Sequence, residues 1–187
     1  MKVIAIVLSV FLITACGSTP SWEGMSQSEI AQWKSLGASV EEVDRYNKSG
    51  LTQTLVKAWH EAGIKDQLEV LDWHKLKFTP QSAKSWKDIG VNVEDVSAYT
   101  NADLSQPDVK SWQEYGFIAQ QQILNWSKVG FTPELAKSWV DLGFSLEQAS
   151  AWASKKFTAE EAKQWIDSGF ALADAVMNRE KGLEPVQ

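Results

Sequence analysis

The sequence predicts an all-α fold, an α-solenoid of about twelve short helices with a 13-residue repeat. Three observations support it: large aromatic residues recur at a nearly constant interval, each interval carries its own helix signals, and a longer period of 53 residues groups the intervals in fours. The aromatic residues are 13 or 14 positions apart, at Trp33, Tyr46, Trp59, Trp73, Trp86, Tyr99, Trp112, Trp126, Trp139, Trp152 and Trp165.

Each interval reads as one helix with a start and a stop. Thr132 is a helix N-cap, because its hydroxyl can accept from a first-turn amide, and Pro133 follows at a position where no amide donor is missed. Ten residues later Gly143 can adopt the left-handed conformation that ends a helix, and Phe144 then packs back on Trp139. Reciprocal capping boxes are predicted at several other starts: Ser26/Glu29, Ser39/Glu42, Asp66/Glu69, Ser145/Gln148 and Thr158/Glu161.

The longer period indicates a four-helix block that is present three times. Residues 40–63 match residues 93–116, and residues 78–90 match residues 131–143. Helices of about ten residues are marginal alone in water, so they must pack on one another. The predicted repeat domain covers residues 25–182 and is followed by a tail at residues 183–187. Asn178 occupies the aromatic position of the last helix, as expected of a cap that faces water.

The N-terminus reads as a targeting signal over residues 1–15. Lys2 is followed by an apolar run at residues 3–13, which is too short to span a bilayer as a helix. The next residues, Ile13-Thr14-Ala15-Cys16, resemble the lipobox of bacterial lipoproteins. That resemblance implies cleavage before Cys16 and acylation of this cysteine, so the protein would be held on the membrane by lipid.

A short tether is expected at residues 16–24. By the same resemblance, Gly17 after the cysteine implies the outer membrane of a bacterial cell envelope. The side of the membrane that the protein faces stays open. Cys16 is the only cysteine, so no disulfide is available to stabilise the fold.

The charge balance argues against a nucleic-acid partner. Residues 1–15 contain one lysine and no acid, so the rest of the chain carries 24 acidic residues against 17 basic ones, a net charge of −7. Such a surface repels phosphate backbones and anionic lipid.

The tryptophans have two possible roles. A large aromatic residue on one face of nearly every helix is what a continuous repeat core needs, and the sequence favours this role. The alternative is glycan or peptidoglycan binding by stacking, which requires several exposed indoles. Trp22 lies outside the repeat, in the predicted tether.

A charge pattern that the repeat does not require marks the odd-numbered helices. Five of them, from the third to the eleventh, carry lysine two positions before the aromatic residue and an acid two positions after it. We call these ten residues the charged strip, and they form a candidate partner-binding face: Lys57, Lys84, Lys110, Lys137 and Lys163 with Glu61, Asp88, Glu114, Asp141 and Asp167. The alternative is a solvated face of weak ion pairs.

No catalytic constellation, cofactor motif or metal-ligand set is evident. His60 and His74 follow aromatic residues on adjacent helices, but two histidines without a third ligand are a weak metal signal. The repeat unit is similar to short tryptophan-containing helical repeats of uncharacterised bacterial proteins, which imply no activity. The expected function is a non-catalytic scaffold or adaptor that binds another envelope protein. A glycan or peptidoglycan binder and an envelope enzyme with an unrecognised site are the alternatives.

Overall fold

The computed structural model describes residues 20–185 and confirms the all-α fold class. The predicted signal peptide and Cys16 lie outside these residues. Within them every regular element is a nine-residue helix, and no strand is present: α1 (Gln27–Ser35), α2 (Val40–Lys48), α3 (Gln53–Glu61), α4 (Gln67–Lys75), α5 (Pro80–Asp88), α6 (Val93–Asn101), α7 (Gln106–Glu114), α8 (Gln120–Lys128), α9 (Pro133–Asp141), α10 (Leu146–Ser154), α11 (Ala159–Asp167) and α12 (Leu172–Glu180). No helix in this part of the chain combines the length and apolarity that crossing a bilayer demands.

The helices begin where the sequence predicts. The Thr132 hydroxyl accepts from the Leu135 N–H at 3.3 Å. Reciprocal capping boxes form at four of the five predicted starts, those that begin α1, α2, α10 and α11. At the fifth, Asp66/Glu69, only one of the two predicted hydrogen bonds is seen. Asp66 accepts from the Glu69 N–H at 2.9 Å, whereas the Glu69 carboxylate accepts from the Trp73 indole N–H at 3.3 Å. Two carboxylates repel each other, which opposes a reciprocal box there.

The helices end in Schellman turns built around the aromatic residue. In α9 the Phe144 N–H donates to the Trp139 carbonyl and the Gly143 N–H to the Val140 carbonyl, both at 3.0 Å. Gly143 has φ +83°, the left-handed conformation that the turn requires. The Phe144 ring then meets the Trp139 indole edge-on, with centroids 4.9 Å apart. The same edge-on Trp–Phe contact follows Trp112, Trp126, Trp152 and Trp165.

Three helix ends adopt the same turn without glycine. Lys77, Asp103 and Lys156 have φ values of 67°, 55° and 64° at the position that is glycine elsewhere. At the end of α10 the turn still closes, since the Lys156 N–H donates to the Ala153 carbonyl at 2.9 Å. The Phe157 ring packs edge-on against Trp152 at 5.0 Å. Lys156 is thus in a conformation that L-residues disfavour, with the aromatic contact beside it.

The chain divides into two compact units between Leu76 and Lys77. The first contains α1 to α4. In it the Gln67 side chain of α4 donates to the Glu42 carbonyl of α2 at 2.7 Å and accepts from Arg45 Nε at 2.5 Å. Helices two apart in the sequence are therefore neighbours.

The second unit contains α5 to α12 and shows the same arrangement on both sides. Among the odd helices, the Gln113 side chain of α7 donates to the Ile89 carbonyl at the end of α5 at 2.9 Å. Among the even helices, the Gln120 side chain of α8 donates to the Asp95 carbonyl of α6 at 2.8 Å. The unit thus has an odd row, α5, α7, α9 and α11, and an even row, α6, α8, α10 and α12.

An arginine side chain connects the last helix to the preceding even helix. The Arg179 guanidinium lies 3.6 Å from the centroid of the Phe157 ring and donates to the backbone carbonyls of Lys155 and Lys156. These contacts join α12 to the end of α10. Asn178, which replaces the aromatic residue in α12, is half-buried.

Candidate interaction surface

The charged strip lies on the outer side of the odd helices. Successive residues of an α-helix are about 100° apart, so positions two before and two after the aromatic residue lie nearly opposite it. The aromatic side points into the core, where Trp86, Trp112, Trp139 and Trp165 are 2% to 4% exposed. The lysine and the acid of α3, α5, α7, α9 and α11 must therefore face solvent, whereas α1 has Ala31 and Ser35 at these positions.

Each lysine of the strip pairs with the acid of its own helix. The Nζ–Oδ1 distance between Lys84 and Asp88 is 2.6 Å. The pairs Lys57–Glu61 and Lys110–Glu114 are looser, at 3.7 Å and 3.6 Å. Lys137–Asp141 and Lys163–Asp167 are also in contact. All ten side chains are 42% to 66% exposed. Solvent screens such pairs, so each stabilises its helix by roughly 0.2–0.5 kcal/mol at most.

Four of the five pairs belong to the second unit and one to the first. Lys57 and Glu61 lie on α3 of the first unit. In the second unit the pairs recur on every helix of the odd row. Packed helices are roughly 8–10 Å apart, so in this unit an ion pair recurs at about that interval along one face.

The even helices carry no such pattern. At the lysine position they have residues of mixed character: Asp44, Leu71, Ser97, Leu124, Ser150 and Val176. Within the second unit the outer face of the odd row is charged and the outer face of the even row is uncharged at this position. The two faces are therefore chemically distinct, as the sequence predicts.

The tryptophans of the repeat form the core and offer no stacking platform. Nine indoles are 0% to 5% exposed, and Trp59 and Trp73 are among the largest fully buried side chains. The core interpretation is confirmed for these positions. Glycan stacking, as formulated from the sequence, required several exposed indoles, and the repeat does not supply them. Trp22 is half-buried, with the Lys34 ammonium 5.8 Å from its ring centroid.

The two histidines lie on α3 and α4. His60 Nε2 is buried and has no hydrogen-bond partner among the described residues. Burial lowers the pKa of His60, and the nearby Lys65 lowers it further, while Glu42 opposes the shift. Nowhere in residues 20–185 do three or more His, Cys, Asp or Glu side chains lie close enough to hold a metal.

Sequence reasoning missed the polar side chains that link helices within a row. Gln67 and Gln120 lie 53 residues apart, and so do their acceptors, Glu42 and Asp95. The shared offset was visible in the sequence. Their role was not, because it depends on which helices are neighbours.

Comparison with known proteins adds no functional assignment. The chain matches no protein-family model, and no curated protein and no solved structure is significantly similar to it.

Proposed function

We propose that this protein is a lipid-anchored, non-catalytic adaptor of the bacterial cell envelope that binds another envelope protein along the charged strip. The anchor rests on the lipobox resemblance at Cys16, and the outer membrane on Gly17. The binding role is carried by one observation, the recurrence of an exposed lysine–acid pair on the outer face of each odd helix of the second unit.

Stability alone does not account for the strip. An exposed lysine–acid pair contributes a few tenths of a kcal/mol, and in these helices lysine precedes the acid, the weaker orientation. The fold forms equally well at the even helices, which have Ser97, Leu124 or Ser150 at the lysine position. The fold does not need these regular lysine–acid pairs. A partner that binds them best explains their recurrence.

The spacing of the pairs indicates the shape of that partner. Neighbouring pairs are roughly 8–10 Å apart. A polyproline II segment advances about 3.1 Å per residue with about three residues per turn, so every third side chain recurs on the same face at about 9 Å. An extended segment with charged side chains at that interval can meet successive lysines and acids at once.

Photo-crosslinking in cells tests the proposal. A photoreactive residue replaces Lys84, Lys110 or Lys137 in the lipidated protein, and captured molecules are identified by mass spectrometry. We expect one dominant envelope protein from all three positions. The same residue at Lys128, which is exposed on the even row, is the matched control. Equal capture from Lys128, glycan adducts, or no capture would contradict the proposal.

Charge reversal at the same three positions is a second test of the proposal. Lys84→Glu, Lys110→Glu and Lys137→Glu together should abolish capture of the partner while the helical circular dichroism is retained. The control is a triple reversal of equal charge away from the strip, at three other exposed lysines: Lys75, Lys128 and Lys155. If both variants lose the partner equally, net charge and not the strip is responsible.

A further inference from the structure

An apolar groove lies between α9 and α11, neighbouring helices of the odd row. Its volume is about 390 Å³, and its walls include Phe131, Leu135, Ala153 and Ala159. Leu135 is 53% exposed. Phe131 is half-buried and uses one side of its ring to pack on Trp126. The groove therefore offers apolar surface that no part of the described chain covers.

The repeat provides an internal comparison for this groove. One block earlier, the residues at the positions of Leu135, Ala153 and Ala159 are Ser82, Thr100 and Gln106. Two blocks earlier they are Glu29, Asn47 and Gln53. The same fold thus accommodates polar side chains at all three positions, and side chains longer than alanine at the positions of Ala153 and Ala159. In the third block, two alanines leave space between the helices, and one leucine makes the wall apolar.

The rim of the groove is acidic in the third block and uncharged in the second. Glu134 and Glu160 occupy the same position in the first turns of α9 and α11, and both line the groove. Their counterparts one block earlier are Gln81 and Pro107. The nearby lysines of α9 and α11, Lys137 and Lys163, are already paired with acids of their own helices. Both carboxylates are exposed and neither has a lysine or arginine partner within residues 20–185.

We propose that this groove binds a peptide segment in which a large apolar side chain is flanked by lysine or arginine. The apolar side chain enters between Phe131 and Leu135, where Ala153 and Ala159 leave room for it. The flanking cations pair with Glu134 and Glu160. This inference rests on the proposed adaptor function and specifies the chemistry of the segment that the second unit recognises.

Peptide titration tests the groove directly. The purified full chain, labelled with ¹⁵N, is titrated with the synthetic peptide GKKGFGKKG while backbone amide shifts are recorded. We expect shifts confined to the groove, at the amides of Phe131, Leu135, Ala153 and Ala159. GKKGAGKKG and GEEGFGEEG test the apolar and the charged requirement separately. Each should bind about tenfold more weakly than the first peptide.

The repeat supplies the variants. Leu135→Ser, Ala153→Thr and Ala159→Gln place the second block's residues in the third and should weaken binding about tenfold. Glu134→Gln should reduce the preference for GKKGFGKKG over GEEGFGEEG. The preference for GKKGFGKKG over GKKGAGKKG should stay unchanged. The converse graft keeps the test informative if the first variant folds poorly. Ser82→Leu, Thr100→Ala and Gln106→Ala, combined with Gln81→Glu and Pro107→Glu, should create binding of GKKGFGKKG in the second block.

The outcomes separate this inference from the adaptor function. If the three peptides bind alike, if none binds, or if the block exchange has no effect, the groove assignment is wrong. The charged strip is tested by capture at Lys84, Lys110 and Lys137, which lie outside the groove. Capture there together with no peptide binding would retain the adaptor and reject the groove. Peptide binding without capture would retain the groove and reject the strip.

Discussion

The side-chain amide of Gln67 donates to the backbone carbonyl of Glu42 at 2.7 Å, which joins α4 to α2 in the first unit. Gln67 is 7% exposed and is the one buried polar side chain among the described residues. It also accepts from Arg45. In the second unit the Gln120 side chain donates to the Asp95 carbonyl in the same way, but this hydrogen bond is exposed. A single residue type thus links neighbouring helices of a row in both units.

Removal of these links should destabilise the two units unequally. Gln67→Ala leaves buried groups unpaired, which costs roughly 1–3 kcal/mol, whereas Gln120→Ala loses one exposed bond worth roughly 0.5–1.5 kcal/mol. Urea denaturation followed by circular dichroism measures both. Gln122→Ala, on the exposed side of α8, is the control and should change stability by less than about 0.5 kcal/mol. Equal effects of all three variants would show that helix propensity and not the links is responsible.

The half-buried His60 should make the first unit sensitive to mild acid. Because its folded pKa lies below the usual 6.5, the unfolded chain binds more protons as the pH falls below 6.5, and stability decreases until the folded pKa is passed. His60→Gln should remove that slope. Its counterpart Gln113 donates to the Ile89 carbonyl, so the new glutamine is expected to reach the equivalent carbonyl of Leu36.

Urea titrations between pH 5 and pH 8 measure the slope. At neutral pH the His60→Gln variant should be more stable by roughly 0.5–1.5 kcal/mol through the added hydrogen bond. The reverse exchange, Gln113→His, is the matched control and should introduce acid sensitivity into the second unit. An unchanged slope in His60→Gln would assign the pH dependence to other groups.

Glycine should be favourable at the strained turn after α10. An L-residue in the left-handed region costs roughly 1–2 kcal/mol, and the greater freedom of glycine in the unfolded chain offsets roughly 0.4–1 kcal/mol of that gain. Lys156→Gly should therefore raise the free energy of unfolding by about 0.5–1 kcal/mol. Asp103→Gly should gain less, because aspartate tolerates this conformation better.

The converse substitution checks the cause. Gly143→Ala should destabilise the α9 turn by about 1 kcal/mol. No atom lies within 4 Å of the added Cβ, so the loss would come from φ and not from a clash. Thermal unfolding measures all three variants. A destabilised Lys156→Gly protein would mean that the lysine side chain contributes more than the backbone strain costs.

Fluorescence should distinguish Trp22 from the other indoles. Nine tryptophans are buried and should emit at short wavelength with little quenching by acrylamide, whereas Trp22 is half-buried. Trp22→Phe should remove most of the quenchable emission. Trp112→Phe is the control and should remove only protected emission. Extensive quenching that persists in Trp22→Phe would contradict the buried core.

Helix boundaries were predictable because their signals are local. Thr132, Trp139 and Gly143 specify the start, the core face and the end of α9 within one short segment. The turn at Lys156 was not predictable from its own residue type, since lysine gives no signal for the left-handed region. The Schellman hydrogen bonds and the packing of Phe157 on Trp152 accompany that conformation.

The candidate surfaces were predictable only in part. The lysine–acid pairs follow from helical spacing, and the structure places each pair on an outer face. The groove beside Leu135 could not be predicted, because it depends on α9 and α11 being neighbours. Arg179 was missed for the same reason, since its partners lie at the end of α10.

The links between helices also bear on how the chain reaches its folded state. The side-chain hydrogen bonds made by Gln67, Gln113, Gln120 and Arg179 join residues only 22 to 25 positions apart. Short loops close at low entropic cost, and proteins dominated by such contacts fold quickly. A helix can therefore pack on the helix two before it as soon as both have been synthesised. The chain can fold progressively from its N-terminus while its C-terminal residues are still being made.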